Sequence, residues 1–353
     1  MRIINGSTAQ APSEVKVKWP KLNTTITVKI NDANPTLVGL LGTALPYRSL
    51  QTHAVVAGDQ LYHLVPLEEL IVSAPYQTES HIANCTKYTP ADKKAPDRAK
   101  EPDGSVFISS FQHFVIKYGE VTEHQPVATC GRVIDQDMDK LRWVADEVWK
   151  CQCETTKHPI EVVLWDASKP EPDPNELDLF KHQRAGVSKE VRNLVEEIHT
   201  ETQKCWSDIS DDIEEIHYGN APEKPGSKDS YFGPMLFSNS VVRTLGYHVI
   251  DNIIKLAFTR PEFTLGHLIA LFRDFVPSIA DFVGHLGAEY VNDIHERIDK
   301  LIKEKVEKNP NKEEAREVFL AMISAFSFYV NLLNAQNLHM FPWRHAKEYP
   351  IPS

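Results

Sequence analysis

The chain has 353 residues, which is the length of about two domains. Its 49 Asp and Glu residues outnumber its 38 Lys and Arg residues, giving a formal net charge of −11. This balance argues against a nucleic-acid-binding protein, whose surface is normally basic. Charged residues make up 25% and hydrophobic residues 42% of the chain, a composition that is typical of globular proteins and excludes a disordered one.

The sequence also predicts where the protein resides. It contains no run of about 18 apolar residues, so we expect no transmembrane helix and no membrane partner. Residues 1–14 are mostly small and polar, which predicts a flexible tail rather than a signal peptide. The five cysteines are sparse and odd in number, which predicts reduced thiols in a cytoplasmic protein rather than a disulfide framework.

Residues 15–167 are predicted to form a β-rich domain, because apolar and polar residues alternate along most of it. The pattern predicts strands at 15–19, 24–30, 48–57, 60–65, 105–110, 112–118 and 160–165, and helices at 36–45 and 135–150. Asn34 and Pro35 are suited to the N-cap and first turn of the first helix. Gly58-Asp59 predicts a tight hairpin turn. Residues 75–104 are rich in Pro, Lys, Asp and Ala, which indicates an exposed insertion.

A second domain follows a linker. The linker is predicted over residues 168–185, where the sequence SKPEPDP carries three prolines. Residues 186–353 are predicted to form a helical bundle, with helices near 187–217, 233–258, 262–284, 287–307 and 312–338. We expect Pro277 to break the third of them. The fold class is therefore α+β, a β domain followed by an all-α domain.

One charged residue of the helical half is unusual. Arg243 lies in the largely apolar segment 241–258. A buried arginine normally requires an anionic partner. We therefore expect Arg243 to pair with Asp251 or another acid.

Several strong motifs are missing from the sequence. It contains neither G-x-G-x-x-G nor G-x-x-x-x-G-K-[ST], which argues against a dinucleotide or nucleotide fold. It also lacks H-E-x-x-H and G-x-S-x-G, and the pair Cys151 and Cys153 has no second cysteine pair to complete a zinc site. We therefore expect no cofactor and no metal.

Polar residues on the predicted strands are the remaining candidates for chemistry. Ser49, Gln51 and His53 alternate along one strand and so share a face, and His113 and Lys117 share a face of another. A single histidine on a strand is more often a surface or core residue than a catalyst. Histidines on three strands, with His63 on the third, make a stronger case, because imidazole transfers protons near neutral pH.

Two cations accompany these histidines. Arg48 and Lys117 could hold the carboxylates of a small anionic substrate, Arg48 by paired hydrogen bonds and Lys117 as a point charge. A solvated charge at the edge of a sheet is an equally good interpretation of both.

Three motifs stand together in this half of the chain: LPYxSLQxH, LYHLVP and QHxxIKYG. The segments that contain them, residues 34–66 and 103–123, resemble the cyclophilin-like domain of the cucumopine and mikimopine synthases. Those proteins also carry a C-terminal helical bundle, so the resemblance extends to the layout of the whole chain. It implies a cyclophilin-like β-barrel followed by a helical bundle.

The resemblance implies a reaction. The family condenses histidine with 2-oxoglutarate: amine and ketone form an imine, and the imidazole carbon then attacks it in a Pictet–Spengler ring closure. The reaction involves no hydride transfer. The residues that match the family's segments are Arg48, Ser49, Gln51, His53, Tyr62, His63, His113, Lys117 and Tyr118.

Roles follow from this match as expectations. His53 and His113 would transfer protons, and Arg48 and Lys117 would hold carboxylates. Ser49, Gln51 and Tyr62 would orient the substrate, with His63 and Tyr118 completing the binding site. In an alternative, Lys117 forms a Schiff base with the ketone, which requires a lowered pKa for which the sequence gives no clear cause.

Other functions stay open at this point. A cyclophilin-like barrel can bind a peptide or small acid without chemistry, and the helical half could serve as an assembly scaffold. A reductive opine dehydrogenase is disfavoured by the missing dinucleotide motif. Tryptophan, tryptamine or histamine could replace histidine as the amine. We expect a small-molecule amine and a 2-oxo acid as partners, and a homodimer formed through the helical domain.

Overall fold

The computed structural model describes residues 11–70, 96–109, 111–153, 158–179, 188–221 and 230–340. The chain divides into two compact units. One comprises Met1–Cys151 and Ile160–His182, and the other comprises Gln152–Pro159 and Gln183–Ser353. Most of the predicted tail and of the predicted insertion at 75–104 lies outside the described residues.

The first unit is a closed eight-stranded barrel in which every pairing is antiparallel. Its strands are β1 (Glu14–Trp19), β2 (Thr24–Ile30), β3 (Tyr47–His53), β4 (Gly58–Leu64), β5 (Ser105–Ile108), β6 (His113–Val121), β7 (Ala128–Val133) and β8 (Ile160–Asp166). They are ordered β1-β2-β7-β5-β6-β4-β3-β8 around the barrel. Helix α1 (Pro35–Ala44) and helix α2 (Met138–Cys153), the latter as far as Cys151, belong to the same unit and contribute apolar side chains to its core.

The β3–β4 connection differs from the prediction. The turn lies at residues 54–57, and Gly58 already belongs to β4, where it pairs with Val121. Gly58 has φ of +103°, and the register shifts between Gly58 and Gln60. The prediction of a turn at Gly58-Asp59 is therefore wrong, because here glycine supplies the positive φ of an irregular strand start.

The start of α1 differs in its capping. Pro35 is the first residue of the helix, as predicted, but the Asn34 side chain makes no capping hydrogen bond. Its amide instead donates to the carbonyl oxygen of Thr129 at 2.6 Å. A buried partner on β7 therefore outweighs the local cap.

The second unit is a helical bundle. Its helices are α3 (Lys189–Lys204), α4 (Asp211–Tyr218), α5 (Phe232–Arg243), α6 (Asp251–Thr259), α7 (Leu265–His285), α8 (Glu289–Leu301) and α9 (Lys312–Met340). Thr244–Ile250 joins α5 to α6 as a π-helical segment, and Ile302–Val306 extends α8 in the same form. A barrel followed by a bundle confirms the predicted α+β class.

Two predictions about these helices are wrong. The helix predicted at 187–217 is divided by the connector 205–210 into α3 and α4. Conversely, α7 continues through Pro277 without a break. Apolar residues on either side of the proline, Val276 and Ala280, are buried. Their packing outweighs the loss of one backbone hydrogen bond.

Among the described residues, Arg243 makes no ion pair. Arg243 is exposed and lies over the ring of Tyr247, with its guanidinium carbon 5.2 Å from the centroid. Asp251 is buried and accepts hydrogen bonds from Ser327 and Asn331. The prediction is therefore wrong, because neutral donors on α9 solvate the carboxyl group that was assigned to the arginine.

Helix α9 is the core helix of the bundle. It is long and apolar enough to cross a membrane, yet 94% of its most apolar stretch is buried within the structure. A fully enclosed helix is expected to be apolar on every side. Its composition therefore reflects its central position.

Candidate active site

The barrel wall divides the nine predicted site residues between its two sides. Tyr47, Leu61 and Phe114 belong to the apolar core of the barrel, whereas Tyr62 and Val115 pack in a separate small cluster. Side chains alternate between the two faces along a strand. Residues an even number of positions from Tyr47, Leu61 or Phe114 on the same strand therefore point inward, and those an even number of positions from Tyr62 or Val115 point outward. The inward residues are Ser49, Gln51, His53, His63 and Tyr118. The outward residues are Arg48, Tyr62, His113 and Lys117.

Gln51 and Ser49 are part of the barrel core. Gln51 is fully buried and accepts a hydrogen bond from the indole N–H of Trp19 at 2.9 Å. Its amide nitrogen donates to the carbonyl oxygen of Tyr62 at 3.0 Å. Ser49 is also fully buried. A substrate could contact these residues only by entering a packed interior, so they are suited to holding β3 against its neighbours.

His63 is a neutral core histidine. Its Nε2 lies 2.9 Å from the hydroxyl oxygen of Tyr47, and its ring stacks on Phe114 at a centroid distance of 5.2 Å. Burial, with a smaller contribution from the charge of His113, lowers the pKa of His63 to about 3. The side chain therefore stays uncharged at neutral pH.

His53 and Tyr118 form a hydrogen-bonded pair on the inner side. His53 Nδ1 lies 2.7 Å from the carbonyl oxygen of Ala54, so this nitrogen carries the proton. Nε2 then accepts from the hydroxyl of Tyr118 at 2.5 Å. Burial lowers the pKa of His53 and, with Asp59 and Asp146, raises that of Tyr118. The pair is therefore neutral, and Tyr118 is half-buried.

A cluster of rings lies on the outer side of the wall. Tyr62 and His113 are adjacent, with ring centroids 4.6 Å apart and planes inclined by 38°. Phe111 lies 6.1 Å from His113. These three side chains, which we call the outer aromatic patch, are each half-buried. The patch offers rings for stacking a planar substrate beside an imidazole that can accept or donate a proton.

Comparisons with known proteins give the family. Residues 191–340 match the family model described as the cucumopine synthase C-terminal helical bundle domain. A solved structure of McbB in complex with tryptophan is 33% identical, covers 96% of this chain and 100% of its own, and superimposes with a TM-score of 0.80. The chain belongs to the cucumopine synthase family. Among curated protein sequences no match is found.

In this member of the family, both predicted carboxylate-binding cations already have partners. Lys117 Nζ donates to the carbonyl oxygens of Ala99, at 3.2 Å, and Glu101. Arg48 pairs with Glu161 on β8 and donates to the carbonyl oxygen of Pro174 at 3.3 Å. A substrate carboxylate would have to compete with these contacts.

Some residues of these sites were not singled out by the sequence. Trp149 packs edge-on against His53 at 4.8 Å, and Phe111 borders the outer aromatic patch. Phe111 lies in the turn before β6, and Gln112 between it and His113 has φ of +64°, so this turn and not strand alternation brings Phe111 to His113. Trp149 lies on α2, and only the packing of that helix brings it to His53.

Proposed function

We propose that this member of the cucumopine synthase family condenses an aromatic amino acid or amine with an oxo compound by imine formation and Pictet–Spengler ring closure. The full-length likeness to a protein solved with tryptophan carries the proposal, because that protein accommodates an aromatic amino acid on the same fold. Histidine and 2-oxoglutarate, the pair implied for the family, are the first substrates to test.

The chemistry sets what the site must supply. The neutral amine adds to the carbonyl carbon, and the carbinolamine then loses one water as it is protonated. The aromatic ring carbon attacks the imine carbon, and the ring proton leaves to a base. The product mass is the sum of both substrates minus one water. No electrons are exchanged with an outside acceptor.

The outer aromatic patch fits these demands better than the inner residues. Tyr62 offers a ring against which the aromatic ring of the substrate can stack, and His113 beside it can carry protons. One small substrate cannot contact both His113 and His53, because they point to opposite sides of the barrel wall. We therefore assign proton transfer at the reacting centre to His113.

Lys117 is proposed to bind substrate and not to take part in the chemical steps. Lys117 follows His113 by four residues, about 13 Å along the strand. It could therefore reach a distal carboxylate and not the reacting carbon. A carboxylate there would replace the carbonyl of Ala99 or Glu101 as the partner of Nζ.

A substrate panel tests the reaction. The purified full-length protein is incubated with histidine, tryptophan, histamine or tryptamine and a 2-oxo acid, without nicotinamide, and products are measured by mass spectrometry. We expect a product at the summed mass minus one water, formed faster than without protein, with NMR showing the new ring carbon bond. Binding of amine without any such product would favour a non-catalytic binding module.

A histidine substitution tests the assignment. His113→Gln is expected to lower turnover about 100-fold or more, because general acid–base catalysis contributes on the order of 10²–10⁴-fold. His124→Gln is the matched control, since His124 lies in the loop between β6 and β7 of the same unit and its side chain is 70% exposed. Near-normal turnover in folded His113→Gln would remove this residue from the mechanism.

Two further proposals concern the cell and the assembly. We propose a reducing cytoplasmic location, which the buried free thiols of Cys130 and Cys205 support. We also propose a homodimer formed through the helical unit. Size-exclusion chromatography with light scattering gives the mass of the protein in solution. A monomeric mass across the working concentration range would contradict the dimer.

A further inference from the structure

The helical unit contains a cavity of about 420 Å³. It lies beside the connector 205–210, between α3 and α4, and its walls include Tyr290 of α8 and Tyr329 of α9. Every lining residue belongs to the helical unit, so the cavity is a separate feature from the barrel residues discussed above.

The walls of the cavity are held by hydrogen bonds that are buried or partly buried. Gln336 of α9 donates to the carbonyl oxygens of Cys205, at 3.2 Å, and Asp208, at 2.7 Å. It also accepts from the backbone N–H of Ser210 at 2.9 Å. On the opposite side, the Tyr290 hydroxyl donates to Glu197 at 3.1 Å. The cavity is therefore shaped in advance of any ligand.

One polar side chain points into this space without a partner. Tyr329 is only 3% exposed, and no described residue hydrogen-bonds to its hydroxyl. The ionisable groups that act on it are led by Cys205, Asp212 and Tyr290, all of which line the cavity. The hydroxyl oxygen is not among the described polar atoms that are buried without a partner, so it is open to the cavity. The hydroxyl is thus directed at the cavity and lacks a partner there.

The charge of the lining selects the sign of a ligand. Four acids line the cavity, Glu201, Asp208, Asp211 and Asp212, against one base, Lys204, which pairs with Glu201 at 2.6 Å. Burial, together with neighbouring acids, raises the pKa of Asp212 to about 6. A cation would relieve this excess of negative charge.

The rings select an organic cation. Tyr290 and Tyr329 meet edge to face, with centroids 5.5 Å apart and planes at 87°, and form an aromatic corner. Within the described part of the chain, no group of three or more His, Cys, Asp or Glu residues is placed to hold a metal ion. Aromatic rings beside carboxylates are the surroundings that bind ammonium groups attached to a carbon skeleton.

We propose that this cavity binds an organic ammonium ion. Its N–H groups donate to the Tyr329 hydroxyl and the Asp212 carboxylate, and its carbon skeleton packs against the two tyrosine rings. The inference does not depend on the condensation reaction proposed for the barrel.

Calorimetric titration of the full-length protein with 2-phenylethylamine, in the absence of any oxo compound, tests the proposal. We expect binding of the amine and none of 2-phenylethanol, its neutral analogue. Asp212→Asn keeps an oxygen for the backbone N–H of Tyr290 that the carboxylate now accepts from, and is expected to weaken binding at least about tenfold. Tyr329→Phe is expected to weaken it about two- to tenfold.

Control variants locate the site. Asp274→Asn makes the same change at an exposed position of α7 and is expected to leave the affinity unchanged. His124→Gln, at an exposed position of the loop after β6, is expected to leave it unchanged as well. His113→Gln reports on any amine held at the outer aromatic patch. Equal binding of 2-phenylethanol, absence of amine binding, or wild-type affinity in both Asp212→Asn and Tyr329→Phe would each overturn the proposal. Loss of binding in His113→Gln alone would place the amine in the barrel and overturn it too.

Discussion

Asp251 is a carboxyl group enclosed by the helical bundle, with 1% of its surface exposed. Burial raises its pKa to about 7, although Ser327 and Asn331 donate hydrogen bonds to it. In the unfolded chain the group ionises near pH 4. Between about pH 4 and pH 7 the folded protein therefore holds a proton that the unfolded chain releases. Its contribution to stability is complete below pH 4 and is lost as the pH rises towards 7.

Asp251→Asn is expected to remove this pH dependence. At pH 8 the variant should be more stable than the wild type by on the order of 2 kcal/mol, and this advantage should shrink towards pH 4. The new amide can donate to Asn331 Oδ1, which is buried without a partner. Urea unfolding of both proteins at pH 5 and pH 8 gives the difference in unfolding free energy between variant and wild type at each pH.

Asp274→Asn on the exposed face of α7 is the control for this series. It should leave the difference in unfolding free energy between pH 5 and pH 8 as in the wild type. An equal effect of Asp251→Asn at both pH values would show that Asp251 is ionised in the folded protein throughout.

Substitution of Tyr118, the partner of His53 on the inner side, tests on which side of the barrel wall the reaction takes place. If the reaction takes place at the outer aromatic patch, Tyr118→Phe should keep turnover within about fivefold of the wild type. Stability should fall by about 1 kcal/mol, because the hydrogen bond to His53 Nε2 is lost. Turnover by mass spectrometry and thermal unfolding measure the two effects. A large loss of turnover with normal folding would move the chemistry to the inner side.

At the scale of elements, β7 is a strand that the sequence pattern does not predict. Its sequence, ATCGRV, has a glycine in its interior and no clear alternation, so no strand is predicted there. It nevertheless closes the barrel between β2 and β5. The requirement that every strand edge be paired outweighs the weak local preference.

Gly131 in β7 is expected to tolerate no side chain. A Cβ there would lie 2.7 Å from the carbonyl oxygen of Lys29 on β2. Gly131→Ala should therefore destabilise the barrel by about 2 kcal/mol or more, because backbone atoms must move apart. Gly39→Ala in α1 is the matched control, since nothing lies within 4 Å of its Cβ. It should stabilise the barrel by about 0.5–1 kcal/mol.

Thermal unfolding of both glycine variants compares the same chemical change at two sites. Opposite signs are expected. A destabilisation of equal size in both would mean that the β2–β7 contact is not the cause, and that glycine is needed in each element for another reason.

At the scale of the whole molecule, the sequence pattern predicted the elements of the barrel more accurately than those of the helical unit. Alternation located seven of the eight strands of the barrel, because each strand has one face in the core and the other outside it. In the helical unit the predicted ends of the helices were less accurate. Buried polar contacts such as those of Gln336 decided where α3 ended, and no local pattern contains them.

The α+β class, the family and the face that each strand residue shares could be predicted from the amino-acid pattern alone, since these depend on periodicity and on motifs close together in the chain. That His53 and His113 lie on opposite sides of the barrel wall, and that Tyr329 faces a cavity with Asp212, is visible only in the folded protein. These residues are distant in sequence. Their proximity depends on barrel closure and helix packing, which are set by the sum of many contacts rather than by any one segment.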